Sequence, residues 1–464
     1  MYVGYLTNLS TYPNQRFIAT ERTCVMPAKL NLWYTKRRNI INLTKYILLA
    51  IILLYLAWLI DFRLPNIKRM IPSTLLLDAD ISETFLANLS GVFLSITTFS
   101  FTTILTVLNI YNSNYSSRLL QNFIDKPIVL NVLGTFIGGF FYSLFSLFMI
   151  RQTVFDHKIV TGSFGILYAL FSMFNFIRFV QEVIRDLKST NIVEDGYRKA
   201  RKLVEEELER REQSRPLTGE AIGFEQKIYA HNTGYLHSFD CKRILRLLAD
   251  SPGELLIQAH IGTYIVEGQY IALLRVPPNS NLNKDETADL CGEISDCFFF
   301  DVEQNDLQDY RGAMENLIEI GIRVLSSGIN DPGTAIQSIR KLCQLLGRLF
   351  STDSPVALLA QTNQVEILYS NYSPEEELYL TFDQIIHYAA PTPRVMAAIL
   401  EGLQVTDLMA GRAGSLATRA FFDEVYELAS EQTSRPSDLK RLEYIKNCFY
   451  HDHNFADKEA MQDA

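Results

Sequence analysis

Charge is what the first 180 residues lack: Thr84–Ser117, Pro127–Ile150 and Ile159–Ile177 contain no charged residue, and Ile40–Ile60 contains only Lys45. A water-exposed surface helix keeps one charged face, so helices of this composition are excluded from solvent. Excess positive charge is missing as well. With a formal net charge of -9 and no concentrated basic face after residue 180, the chain has no means of neutralising many phosphates, which excludes a nucleic-acid partner.

Paired cysteines are also absent. Cys24, Cys241, Cys291, Cys297, Cys343 and Cys448 form no CxxC and no Cys/His spacing of the zinc kind, so they read as reduced thiols and no metal site is expected. Cys291 and Cys297 lie close in sequence, but a free cysteine is commonly a small core residue. There is no P-loop, HExxH, GxSxG or dinucleotide fingerprint. The seven histidines include no ligand-spaced set, and His451 and His453 sit in a charged tail. No catalytic residue and no cofactor is assigned on these grounds.

What the chain does have is length of apolar sequence. A helix needs about 20 mostly apolar residues to cross hydrocarbon, because each rises about 1.5 Å and the backbone must pair internally. Four segments meet that length, and Lys45 lies near an end, where a long side chain can snorkel. The first span starts near residue 40 and is followed by three more, which is not the pattern of a cleaved signal peptide. Sixteen Lys and Arg flank the spans on one side (Arg16 to Lys45, Arg118 and Lys126, Arg178 to Lys202) against five on the other (Arg63, Lys68, Arg69, Arg151, Lys158). Both termini are therefore expected in the cytoplasm, with the chain in the inner membrane.

The second span is rich in hydroxyls, and Ser95, Thr98, Thr102, Thr106 and Asn109 recur at steps of three or four, on one helical stripe. Such a stripe either lines an aqueous pathway, where hydroxyl oxygens replace part of an ion's hydration, or lets helices pack closely. Gly134 and Gly138 form a GxxxG step in the third span, beside Gly139, which permits close contact. No acidic residue or histidine lies at mid-depth in any span, so the usual marker of a proton relay is missing.

After the spans, residues 181–216 read as a solvated helical stalk with Arg201/Glu205 and Lys202/Glu206 at i,i+4. Residues 217–302 alternate like short strands: 227–230, 235–239, 254–260, 264–266 and 271–276, with a helix over 241–249. From 303 helices dominate, with one strand at Val365, Ile367 and Tyr369. The helix 311–325 is expected to stop at Gly328, and Asn330 or Asp331 to cap the next, with Pro332 at its first position and Thr334 in its first turn. The alternative for this corner is an anion or ligand site at the helix start.

Two resemblances add to this reading. Gly262-Thr-Tyr-Ile-Val-Glu-Gly-Gln-Tyr-Ile271 is similar to the turn sequence of barrel-sandwich domains related to lipoyl and biotinyl carriers, and it lacks the lysine that would carry such a cofactor. A small barrel without a prosthetic group is implied. Tyr115-Ser-Ser-Arg118, the glycine-rich third span, Gly234-Tyr-Leu, Gln308-Asp309 and Leu325-Ser-Ser-Gly-Ile-Asn-Asp-Pro-Gly-Thr-Ala335 resemble a bacterial family of predicted multi-pass membrane proteins, domain of unknown function 2254. The resemblance runs over roughly 40 to 450 and carries no established activity. Ser327, Gly333 and Gln304-Asn305 depart from the family's usual residues.

The expected architecture is an α-helical membrane protein with four transmembrane helices (40–180) after a cytoplasmic tail (1–39), plus an α+β cytoplasmic domain containing a small β-barrel-like unit and a C-terminal helical unit. Expected partners are the lipid bilayer and further copies of the chain, with an ion or small molecule as ligand class. The first functional reading is an oligomeric channel or permeation-linked protein regulated by its cytoplasmic domain. The second is a membrane-anchored sensor or scaffold whose contacts are Gln308, Asp309 and Asp331. An enzyme ranks third.

Overall fold

The computed structural model describes residues 44–72, 75–114, 127–151, 158–186, 189–214, 224–249, 253–277, 284–302, 309–362 and 364–462. The tail 1–39, Tyr115 to Arg118, Gln304-Asn305 and Gln308 lie outside them. Contacts divide the chain into two units, one running to Ile192 and one beginning at Val193.

The first unit holds four helices long and apolar enough to cross a membrane: α1 (Thr44–Asp61), α2 (Ala79–Asn114), α3 (Pro127–Arg151) and α4 (Thr161–Asp186). The most enclosed is α3, which packs on both α2 and α4 and buries Val132, Phe136 and Tyr142. Its glycines explain the fit. A Cβ on Gly138 would lie 2.5 Å from the Tyr168 hydroxyl and 2.8 Å from the Tyr46 carbonyl oxygen, so only glycine admits these two neighbours. Tyr168 donates to the Thr135 carbonyl at 2.9 Å, and Tyr142 to that of Thr161 at 2.8 Å. The outward faces carry Phe99, Phe148, Leu167, Leu170 and Phe174, an apolar surface suited to lipid.

At one end of this unit α1 widens into a π-helical turn, Leu59–Arg63, which presents Asp61 to the start of α4. The carboxylate accepts from Val160 N at 3.0 Å, Thr161 N at 3.2 Å and Thr161 Oγ1 at 2.7 Å. A residue 100 positions away in sequence thus caps the helix, supplying acceptors to donors that the first turn leaves unpaired. The antiparallel bridge Leu77 to Ile159 holds the same corner.

The second unit takes in most of α5 (Ser189–Gln213) and all that follows. Val193, Tyr197, Ala200, Val204, Glu207 and Arg211 recur at steps of three and four and are buried. The expected solvated stalk is therefore docked over this stretch. Its partners are α8 (Tyr310–Leu325) and α9 (Pro332–Leu349): Gly196 faces Leu317, Lys341 lies 4.2 Å over the Tyr197 ring, and Arg348 pairs with Glu205 at 3.1 Å. Arg201 and Glu205 form the i,i+4 pair read from the sequence, at 2.8 Å.

The strands do not close into a barrel; they form two open sheets. The larger has the order β1 (Phe224–Tyr229), β5 (Tyr270–Val276), β3 (Gly253–Ile257), β8 (Val365–Ser370), β7 (Val356–Gln361), and the smaller β4 (Tyr264–Ile265), β2 (Gly234–Phe239), β6 (Phe298–Asp301). The turn sequence reads correctly in its local part, since Gly262 and Gly268 both take positive φ. Closure fails because β3 spends its second edge on β8, in parallel, over Gly253–Ile257 against Val365–Tyr369. One face of the larger sheet buries Leu255, Ile257, Ile271 and Leu274 with Ile244 and Leu248 from and beside α6 (Cys241–Leu247); α7 (Lys284–Ser295) packs near β1. The helical remainder is α8, α9, α10 (Pro374–Ala389), α11 (Pro393–Met409), α12 (Arg412–Gln432) and α13 (Pro436–Gln462).

Candidate functional site

The hydroxyl stripe of α2 faces away from its own bundle. Ser95, Thr98, Thr102, Thr106 and Asn109 are exposed on this unit, whereas Ser100, off the stripe, is fully buried. Each stripe hydroxyl donates to the carbonyl four residues earlier: Ser95 to Gly91 at 2.9 Å, Thr98 to Leu94 at 3.1 Å, Thr102 to Thr98 at 3.0 Å and Thr106 to Thr102 at 2.9 Å. The protons are turned inward onto the helix, and the oxygen lone pairs are left outward. Gly134 and Gly138 lie on the opposite kind of surface, inside the bundle. The structure therefore separates the two groups: the glycines pack helices of one chain, and the stripe does not.

The stripe also continues upstream through Asn88 and Gly91, both exposed. Nothing lies within 4 Å of where a Gly91 Cβ would be, so no contact inside the chain calls for glycine there. Among the described residues the Asn88 amide has no hydrogen-bond partner.

In the second unit, Asp309 and Asp331 both serve as helix caps. Asp309 accepts from Gly312 N at 2.8 Å at the start of α8. Asp331 accepts from Thr334 N at 3.1 Å and from its hydroxyl at the start of α9, with Pro332 in the first position. The left-handed residue of this corner is Asn330, at φ 47°, and not the expected Gly328, because asparagine tolerates that region and the chain turns two residues later. Asp331 N closes the corner on the Val324 carbonyl at 2.7 Å. Asp309 and Asp331 stand at opposite ends of α8, about 24 Å apart along a helix of this length. They do not converge on one ligand.

The family model described as predicted membrane protein, DUF2254, matches residues 39–405. The chain belongs to this family. Uncharacterized proteins of Mycobacterium bovis and of two Mycobacterium tuberculosis strains are 26% identical to it over 325 residues, 66% of this chain. The match spans 60% of the length of those relatives. No solved structure matches.

Within the family region lies a buried polar network that the sequence did not disclose. Glu207 (3% exposed) and Arg211 (4%) end the docked face of α5, and Arg211 Nε donates to Glu207 at 3.1 Å. Arg211 Nη2 donates to the Tyr310 hydroxyl at 3.2 Å, and Tyr310 donates in turn to Glu377 Oε1 at 2.6 Å. Glu377, on α10 and wholly buried, takes its second partner from Arg311 at 2.9 Å, and Arg311 also reaches the Thr381 hydroxyl and the Leu380 carbonyl. Burial alone would lower the Arg211 pKa, but Tyr310, Glu207 and Glu377 carry it above its ordinary value. Burial and the Glu377 carboxylate raise that of Tyr310 far out of reach, so its hydroxyl stays a donor. A buried pair of this kind is held by satisfying every partner, since each isolated charge is costly to desolvate.

Cys291 and Cys297 are buried thiols whose pKa burial pushes up to about 11, which keeps them protonated and unreactive. No group of three or more His, Cys, Asp or Glu able to hold a metal occurs among the described residues.

Proposed function

We propose that the protein is an oligomeric, permeation-linked protein of the inner membrane, in which the α2 stripe lines a path between copies and the α+β unit, in the cytoplasm, regulates it. The observation that carries this reading is the outward direction of Ser95, Thr98, Thr102, Thr106 and Asn109 on a helix whose core has no charge. Hydrocarbon is a poor partner for the Asn88 amide and offers no reason for Gly91; a facing helix or water supplies both. Outward oxygen lone pairs favour a cation or a neutral hydrogen-bond donor over an anion. The distribution of Lys and Arg supports the orientation, with both termini cytoplasmic.

Planar-bilayer recordings on the purified protein test the reading. Cation-selective conductance that Thr102→Leu reduces at least several-fold is the expected result; absence of conductance under all gradients contradicts it.

A further inference from the structure

The polar network has one member without a counter-charge. Asp309 is largely buried beside Tyr310, accepts only the Gly312 amide, and pairs with no cation among the described residues. The nearby arginines are committed: Arg210 and Arg211 to Glu207, Arg311 to Glu377. Facing Asp309 are Glu207 and Arg211 from α5, Glu377 from α10, Glu315, Tyr310 and Arg311 from its own helix, and Tyr369 and Tyr372 from β8 and the loop after it. His260 stacks on Tyr372 with ring centroids 3.7 Å apart, and Glu376 lies near it. An ionised Asp309 therefore adds a carboxylate to a cluster whose positive charges are already used.

We propose that the joint of α5 with α8 and α10 is a proton-sensitive latch, closed when Asp309 is protonated and loosened when it ionises. The helix it holds is the one that follows the last span in the chain. A protonated Asp309 keeps its cap on Gly312 N and places no charge among Glu207, Glu315 and Glu377. Ionisation brings repulsion that the undocked joint, open to water, does not suffer.

The direction follows from linkage. Burial, opposed by the Gly312 bond and reinforced by Glu315, Glu207 and Glu377, pushes the Asp309 pKa from 3.8 up to about 7. Because the closed joint binds the proton more tightly, closure is strongest in acid and weakens as pH rises, fully so above about 7. One proton is involved, so the opening constant rises by up to about tenfold per pH unit between those two values. His260, which burial holds down at about 4, works with the opposite sign. A variant at Asp309 isolates the effect from it. The latch holds whether or not the spans conduct.

The test is hydrogen exchange of amides 204–213 in the full chain in detergent, corrected for intrinsic exchange, from pH 5 to 8.5. Wild-type protection is expected to fall several-fold or more from pH 5 to 7 and then level. Asp309→Asn and Asp309→Ser, both neutral caps, are expected to hold the acid level throughout, and Asp331→Asn to keep the wild-type slope. A flat wild-type profile overturns the proposal even if no variant folds. So does a slope that survives both Asp309 variants, or one that Asp331→Asn abolishes.

Discussion

The two units treat polar side chains in opposite ways. In the spanning unit the hydroxyls of α2 are satisfied by their own helix, four residues back, and the charged Asp61 is placed at a helix end among backbone donors. In the second unit Glu207, Arg211, Arg311 and Glu377 are satisfied by one another across three helices. Hydrocarbon forces the first solution, because a partner lost there is replaced by nothing. The second makes the joint depend on every member at once, so loss of one strands the others.

This contrast sets the order of expected damage. Glu377→Ala leaves Arg311 and Tyr310 buried without an acceptor and should cost about 3–5 kcal/mol, read from denaturant unfolding of the full chain in detergent. A loss below about 1 kcal/mol would mean that water reaches the network and that the contrast is false. Gly138→Leu forces atoms into the Tyr168 hydroxyl and the Tyr46 carbonyl, and should lower the thermal stability of the spanning unit by about 1–3 kcal/mol. Asp61→Ala removes a cap and should cost about 1 kcal/mol in the same melt, with Asp61→Asn recovering part of it. Thr102→Leu comes last. Its hydroxyl is exposed and bonded only to its own helix, so stability should change by less than about 0.5 kcal/mol while conductance falls.

The spans were legible because length and absence of charge are local properties. The ends were less so: α2 starts at Ala79, earlier than Thr84, since Asp80 and Glu83 fit a helix whose first turns lie outside the apolar core. Periodicity revealed the α2 stripe but not what it faces, because a period fixes a face and not a neighbour. Alternation revealed six of the eight strands. β7, Val-Ala-Leu-Leu-Ala-Gln, is buried on both faces and has no alternation to read, and β6 is four residues long. The barrel expectation went beyond its signal, since two turn glycines cannot report that β3 will pair with a strand 100 residues on. Glu207 and Arg211 look like one more solvated i,i+4 pair. Only their register with Val193, Tyr197, Ala200 and Val204 marks them as buried, and that pattern was readable.

The most direct measurement uses Thr102→Cys in a background whose native cysteines are replaced by serine, in intact membranes. The account predicts cross-linking into dimers and reaction with a membrane-impermeant thiol reagent, because the stripe meets other copies around water. A cysteine that never cross-links and reacts only with lipid-soluble reagents would place the stripe against lipid and contradict it.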